Sequence, residues 1–204
     1  MAARRSRFRK LTKLDLTFLL ILGGVAGRLL LLRVANVETV LAVSMLAGAL
    51  LGWRYALLVS ISVMGITDGV IYAMGLGDPF GVLPILGITA FTWSGMLFVG
   101  LIGAVSGRRR VLFTTRSMAA LTMISIPATI LFDVWTAFGE WMFLAAPRGV
   151  PIEVVYFMQI PFTLVHIASS IVFVPLFGSI FSWLSPAPEY LPLPETSEGE
   201  PSRP

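Results

Sequence analysis

Long apolar runs separated by short polar connections dominate the chain. Each run is too long for a β-strand and lacks the alternation of a transmembrane barrel, so we interpret the runs as helices. Their approximate bounds are 14–34, 38–52, 55–74, 82–107, 117–145 and 153–184. A bilayer core requires about 20 apolar residues per helical crossing. The pattern therefore predicts an all-α integral membrane protein, a bundle of six transmembrane helices.

Two local features refine this pattern. The second run is short, and Gly52, Trp53 and Arg54 leave room only for a tight hairpin into the third. Three prolines, at positions 127, 161 and 175, lie inside the last two runs. A proline removes a backbone donor from a helix, so these positions predict kinks that neighbouring helices accommodate.

Composition leaves no room for a separate soluble domain. Of the 204 residues, 56% are hydrophobic and 13% charged, whereas about a quarter are charged in soluble domains. We expect a basic segment at 1–13, a transmembrane domain at 14–184, and a disordered, acidic, proline-rich tail at 185–204. The first run is long enough to span, which favours an uncleaved helix over the alternative, a cleavable signal peptide.

The distribution of arginine and lysine predicts the orientation. With the amino end inside, the outer side holds only Arg28, Arg33 and Arg148. The inner side then holds twelve basic residues: Arg4, Arg5, Arg7, Arg9, Lys10, Lys13, Arg54, Arg108, Arg109, Arg110, Arg116 and Arg203. Because cytoplasmic loops are enriched in such residues, we expect both termini in the cytoplasm.

Charged and polar residues inside the runs are the candidate functional residues. A charge near the bilayer centre costs about 3 kcal/mol or more. With a rise of about 1.5 Å per residue, Arg28 and Asp68 lie at similar heights, about 20 Å above the inner boundary. The other polar candidates are Asn36, Glu38, Asp133, Glu140 and His166. Aromatic residues including Trp93 and Trp135 accompany them, a combination typical of a pocket for a partly aromatic, partly polar small molecule.

Each of these residues also has a purely structural interpretation. Arg28 could serve only to neutralise Asp68 or Asp133 inside the bundle. His166 could be a hydrogen-bonded core residue. In the first run, Gly23 and Gly27 form a small-residue step that permits close approach of another helix. Packing within the bundle and docking of a partner are both consistent with that step.

Several chemistries are absent from the sequence. It contains no cysteine and a single histidine, so we predict no metal site and no cofactor. Every lysine precedes Leu14, so the chain has no phosphate-binding loop of the ATPase type. If the protein powers transport, a partner supplies the energy.

The chain resembles the substrate-binding S component of an energy-coupling factor (ECF) vitamin transporter over about 14–184. The resemblance is closest where Arg28-Leu-Leu leads through Asn36-Val-Glu38 into Ala47-Gly48-Ala49-Leu50-Leu51-Gly52, and at Asp68 and Asp133-x-Trp135. S components usually carry Ala-x-x-x-Ala on the first helix, and Gly23-x-x-x-Gly27 is the nearest match here.

That resemblance implies a non-enzymatic subunit of a bacterial or archaeal cytoplasmic membrane. The subunit would capture a vitamin-like micronutrient from outside and dock, through its first helix, on a T component that carries two ATPases. Loops would close over the substrate, and release inward would follow when the subunit tips over in the membrane. The implied pocket residues are Glu38, Asp68, Trp93, Asp133, Trp135 and His166.

Two other functions fit the same residues. One is a scaffold or assembly protein of the cell envelope, in which the polar residues only hold the bundle together. The other is an intramembrane enzyme that uses Asp133, Glu140 or His166 for acid–base chemistry.

Overall fold

The computed structural model describes residues 12–34, 37–75, 82–107 and 115–184, and all of the regular structure in these ranges is helical. Six α-helices follow one another: α1 (Lys13–Leu30), α2 (Val40–Leu51), α3 (Trp53–Ala73), α4 (Val82–Gly107), α5 (Thr115–Glu140) and α6 (Ile152–Leu184). The basic residues 4–10, the arginines 108–110 and the tail 185–204 lie outside the described residues. The predicted all-α architecture is confirmed.

Four of these helical segments are long and apolar enough to cross a membrane. They are Trp53–Ala73, Val82–Gly107, Thr115–Arg148 and Ile152–Phe181. Their outward surfaces carry large apolar side chains, for example Leu83 at 72% exposure, Phe157 at 74% and Leu164 at 62%. Soluble monomers rarely expose continuous apolar surface of this kind, and lipid accommodates it. The chain is thus a multi-pass helical membrane protein.

Helix α2 lies at the centre of the bundle, against α1, α3, α4 and α6. Every residue from Val40 to Ala49 is buried. A Cβ added at Gly48 would collide with the backbone of Gly100 in α4, and one added at Gly103 with the carbonyl oxygen of Met45. Glycine at these positions therefore lets the two backbones touch, and van der Waals packing of this kind replaces the hydrophobic effect inside lipid.

The predicted tight hairpin between the second and third runs is confirmed. Gly52 alone connects α2 to α3, with φ of 97°, a left-handed conformation that favours glycine. Its amide donates to the carbonyl of Gly48 at 2.9 Å, and a bond of 2.8 Å between the hydroxyls of Ser60 and Ser44 joins the two helices further along.

The connection between α5 and α6 is compact and helical rather than extended. The predicted run 117–145 is divided, because α5 ends at Glu140 and a π-helical turn follows over Trp141–Ala145. A 3-10 turn over Ala146–Arg148 then leads to α6. Both long helices continue through their prolines, while the predicted kinks stay a prediction.

Candidate functional site

Arg28 of α1 forms a partly buried ion pair that connects three helices. Its Nη1 lies 2.7 Å from Asp68 Oδ1 of α3 and donates to Thr67 Oγ1 at 2.6 Å. The other carboxylate oxygen of Asp68 accepts from Trp93 Nε1 of α4 at 2.7 Å. The side chains of Arg28 and Asp68 are only 14% and 13% exposed. Arg28 therefore neutralises Asp68, and the sequence-based estimate that both lie at similar heights is consistent with this contact.

Glu38 approaches the same guanidinium from the segment that precedes α2. Its Oε1 lies 4.0 Å from Arg28 Nε, which is the outer limit for an ion pair, and its side chain is 23% exposed. Its Oε2 is buried and has no hydrogen-bond partner among the described residues. Glu38 is thus held near a cation without being fully neutralised.

Asp133 of α5 and His166 of α6 form a second buried pair. His166 Nδ1 lies 2.6 Å from Asp133 Oδ1, and the two residues are 5% and 1% exposed. One helical turn away, the hydroxyls of Thr129 and Ser170 bond across the same two helices at 2.8 Å. Asp133 Oδ2 and His166 Nε2 have no hydrogen-bond partner in the described part of the chain.

The two pairs belong to one polar region of the bundle. Glu38 is close enough to His166 for a favourable electrostatic interaction with its protonated form. We call the five residues Arg28, Glu38, Asp68, Asp133 and His166 the interior site. Its three unpartnered atoms are buried polar atoms of a kind that folded proteins normally satisfy. A site that retains such atoms is suited to bind a polar molecule.

The two candidate tryptophans have different places. Trp93 belongs to the interior site through its bond to Asp68. Trp135 instead packs against α4, where its Nε1 donates to Ser94 Oγ at 2.9 Å and its ring lies 4.6 Å from that of Phe91. Two residues along a helix correspond to about 200° of rotation, so Trp135 faces away from Asp133. Its role in substrate binding stays a prediction.

Glu140 lies outside the interior site. Glu140 is exposed at the end of α5 and lines a groove of about 200 Å³ together with Gln159 of α6. It lies seven residues, or about 10 Å, from Asp133 along the helix. Asn36 lies outside the described residues, so its predicted contact with substrate stays a prediction.

The small residues of α1 contact the rest of the bundle. A Cβ at Gly27 would meet the side chain of Thr39, and one at Gly23 would lie 3.8 Å from Phe177 of α6. The exposed positions of α1 form a separate stripe at intervals of four residues: Leu14, Phe18, Leu22, Ala26 and Leu30. The prediction that Gly23 and Gly27 dock a partner is untested.

Sequence reasoning named Arg28 as a possible partner of Asp68, but it missed His166 as the partner of Asp133. Neither aspartate has an obvious partner within one helical turn, and Asp133 and His166 are 33 positions apart. Thr67 and Ser170 were not predicted as site residues, although both hydroxyls are buried and hydrogen-bonded. Serine and threonine are common in membrane helices, so the sequence contains no signal that separates these two from the rest.

Fold and site together define the class: a multi-pass helical membrane protein with a buried, charged interior. A family model described as "Family of unknown function (DUF6580)" matches residues 9–192. Since the match covers most of the chain, the protein belongs to this family. Comparison with curated proteins and with solved structures gave no match.

Proposed function

We propose that this protein is the substrate-binding subunit of an ECF-type importer of a vitamin-like micronutrient. The observation that carries the proposal is the interior site, where Glu38, Asp133 and His166 each keep one buried polar atom without a partner among the described residues, next to the ion pair of Arg28 and Asp68. Buried charges inside a membrane bundle are expensive, and they commonly mark substrate pathways. Side chains from five separate segments contribute to the site, which suits a pocket enclosed by a bundle.

In this proposal the chain crosses the membrane six times, with both termini in the cytoplasm. The six helices in the described part of the chain and the excess of basic residues in alternate connections support this arrangement. The interior site then lies in the outer half of the membrane, accessible to ligand from outside. The membrane is the cytoplasmic membrane of a bacterium or archaeon.

The energy for transport comes from partner subunits. We propose that a T component carrying two ATPases docks along α1. The stripe formed by Leu14, Phe18, Leu22, Ala26 and Leu30 supports this choice, because no other helix of the described chain covers it. The glycines Gly23 and Gly27 would act indirectly, by seating α1 closely on the bundle so that the stripe faces outward.

The first prediction is that a small molecule co-purifies with the protein. The chain would be expressed in a bacterial membrane, purified in mild detergent and analysed by mass spectrometry for bound metabolites. We expect a stoichiometric, vitamin-like ligand that is lost in Asp133→Asn and retained in Glu153→Gln, a control at an exposed carboxylate. Thermal unfolding of both variants would show that they remain folded.

An empty wild-type protein that also captures no T component would contradict the proposal and favour the envelope scaffold. In that case Asp133→Asn would change only the stability of the bundle. Turnover of a substrate that is lost in His166→Ala would instead indicate an intramembrane enzyme.

The second prediction concerns the proposed topology. Because the chain has no cysteine, single cysteines give a clean readout with a membrane-impermeant maleimide. On intact cells we expect labelling of Met74→Cys and Glu153→Cys, and labelling of Arg54→Cys and Thr115→Cys only after the cells are opened. All four positions are exposed. The reverse pattern would contradict cytoplasmic termini. Labelling of Arg54→Cys and Met74→Cys from the same side of the membrane would contradict a crossing by α3, and with it the six crossings.

A further inference from the structure

With the acids ionised, the two unpartnered carboxylate oxygens of the interior site accept hydrogen bonds, and the unpartnered nitrogen accepts when His166 is neutral with its proton on Nδ1. They are Glu38 Oε2, Asp133 Oδ2 and His166 Nε2, each almost without access to solvent. If the imidazole donates its Nδ1–H to Asp133, its Nε2 carries a lone pair. Burying an acceptor costs free energy, because the acceptor loses its hydrogen bonds to water, unless another donor replaces the water. A molecule that binds here should therefore supply hydrogen-bond donors.

The interior site also has an excess of negative charge. The interior site contains three carboxylates and one guanidinium: Glu38 and Asp68 lie beside Arg28, whereas Asp133 is paired with His166. If His166 is neutral, three negative charges face one positive charge. If His166 is protonated, three still face two. The site is therefore anionic in both states, and its low-dielectric surroundings strengthen the attraction for a cation.

Arg28 does not cancel this charge at the unpartnered atoms. Its Nη1 is already bonded to Asp68 at 2.7 Å, whereas Glu38 lies at the 4.0 Å limit from its Nε. Asp133 contacts His166 through Oδ1 only, so its Oδ2 stays open. A water molecule could donate to these oxygens, but it would leave the excess charge in place.

We propose that the ligand of the interior site is a small organic cation whose N–H groups donate to Glu38 and Asp133. The class includes protonated amines, amidines and protonated nitrogen heterocycles. Aromatic surfaces support a cation here, since the ring of Phe132 lies 6.0 Å from that of His166 and Trp93 borders Asp68. This inference rests on the proposed function, and it assigns a chemical class to the ligand of the proposed binding site.

The test uses three probes that share a phenyl ring and differ in charge. Thermal unfolding of the full-length protein in mild detergent at neutral pH would be measured with phenethylamine, 2-phenylethanol and 3-phenylpropionate at equal concentrations. A ligand that binds only the folded state raises Tm. We expect a rise with the amine that exceeds the effects of the alcohol and the anion. Magnesium chloride serves as a fourth condition, which tests whether the site binds a metal ion.

Two variants locate the effect at the site. Glu38→Gln keeps the shape of the side chain and removes its charge, so we expect the amine to bind about tenfold more weakly or worse. Glu153→Gln removes an exposed carboxylate in the first turn of α6 and should leave the affinity unchanged.

Five outcomes would overturn the proposal. Equal shifts with the amine and the alcohol would indicate a neutral ligand, and a larger shift with the anion would reverse the predicted charge. Stabilisation by magnesium alone would indicate a metal ion. No shift with any probe would leave water as the occupant of the site, and an amine effect that survives Glu38→Gln would place the amine elsewhere on the protein.

Failure of the cation site and failure of the importer proposal give different results. An amine response in a protein that captures no T component would support the cation site and contradict the importer. Capture of a T component together with a neutral or anionic co-purified metabolite would support the importer and contradict the cation site.

Discussion

Gly103→Ala is expected to destabilise the folded bundle by about 1–3 kcal/mol, because the added methyl group has no space. Its Cβ would collide with the carbonyl oxygen of Met45, which belongs to the backbone of the enclosed helix α2. A flexible side chain could move away, but a buried backbone cannot without separating α2 from α4. The measurement is reversible unfolding in mixed detergent micelles, or Tm in one mild detergent.

Gly69→Ala is the matched control for this substitution. Gly69 also lies within a helix, α3, but nothing is within 4 Å of its Cβ position. Alanine favours a helix over glycine by about 1 kcal/mol, so this variant should be unchanged or slightly more stable. Equal stability of the two variants would contradict the close approach of the α2 and α4 backbones.

Arg28→Met is expected to cost about 3–5 kcal/mol, because it leaves the Asp68 carboxylate buried without its cation. Methionine retains much of the length of the arginine side chain, so the loss reports mainly on charge. Asp68 would keep its bond from Trp93, and Thr67 would lose its contact with the guanidinium. The yield of folded protein and its Tm would both fall.

The double variant Arg28→Met/Asp68→Asn tests this explanation. It removes both charges, while the amide oxygen of asparagine can still accept from Trp93 Nε1. Since replacing both members of a buried ion pair is often close to neutral, we expect most of the lost stability to return. A double variant as unstable as Arg28→Met would show that the guanidinium acts through packing and not through Asp68.

The helices were predictable because long apolar runs have few alternatives in a membrane protein. The hairpin at Gly52 was also predictable, since no spare residues separate the second run from the third. The division of the fifth run at Trp141–Ala145 was not. A π-helical turn keeps the helical direction of the chain, so the apolar pattern continues through it without interruption.

The interior site was predictable in part. Rise per residue gives the height of a side chain along its own helix, and that was enough to place Arg28 and Asp68 at one level. It does not give the rotation of one helix relative to its neighbour. The bond between Asp133 and His166 depends on how α5 and α6 face each other. The orientation of Trp135 toward α4 depends on that same rotation.

The short length and enclosed position of α2 affect how the chain is inserted into the membrane. Its twelve residues cover about 18 Å, against about 30 Å of hydrocarbon, and neighbouring helices rather than lipid surround it. The ribosome releases α2 before α3, α4 and α6, which later enclose it. A helix this short is poorly retained by lipid alone, and Gly52 couples it directly to α3. We therefore expect α2 and α3 to insert as one unit, which the insertion machinery shelters until α4 and α6 have been synthesised.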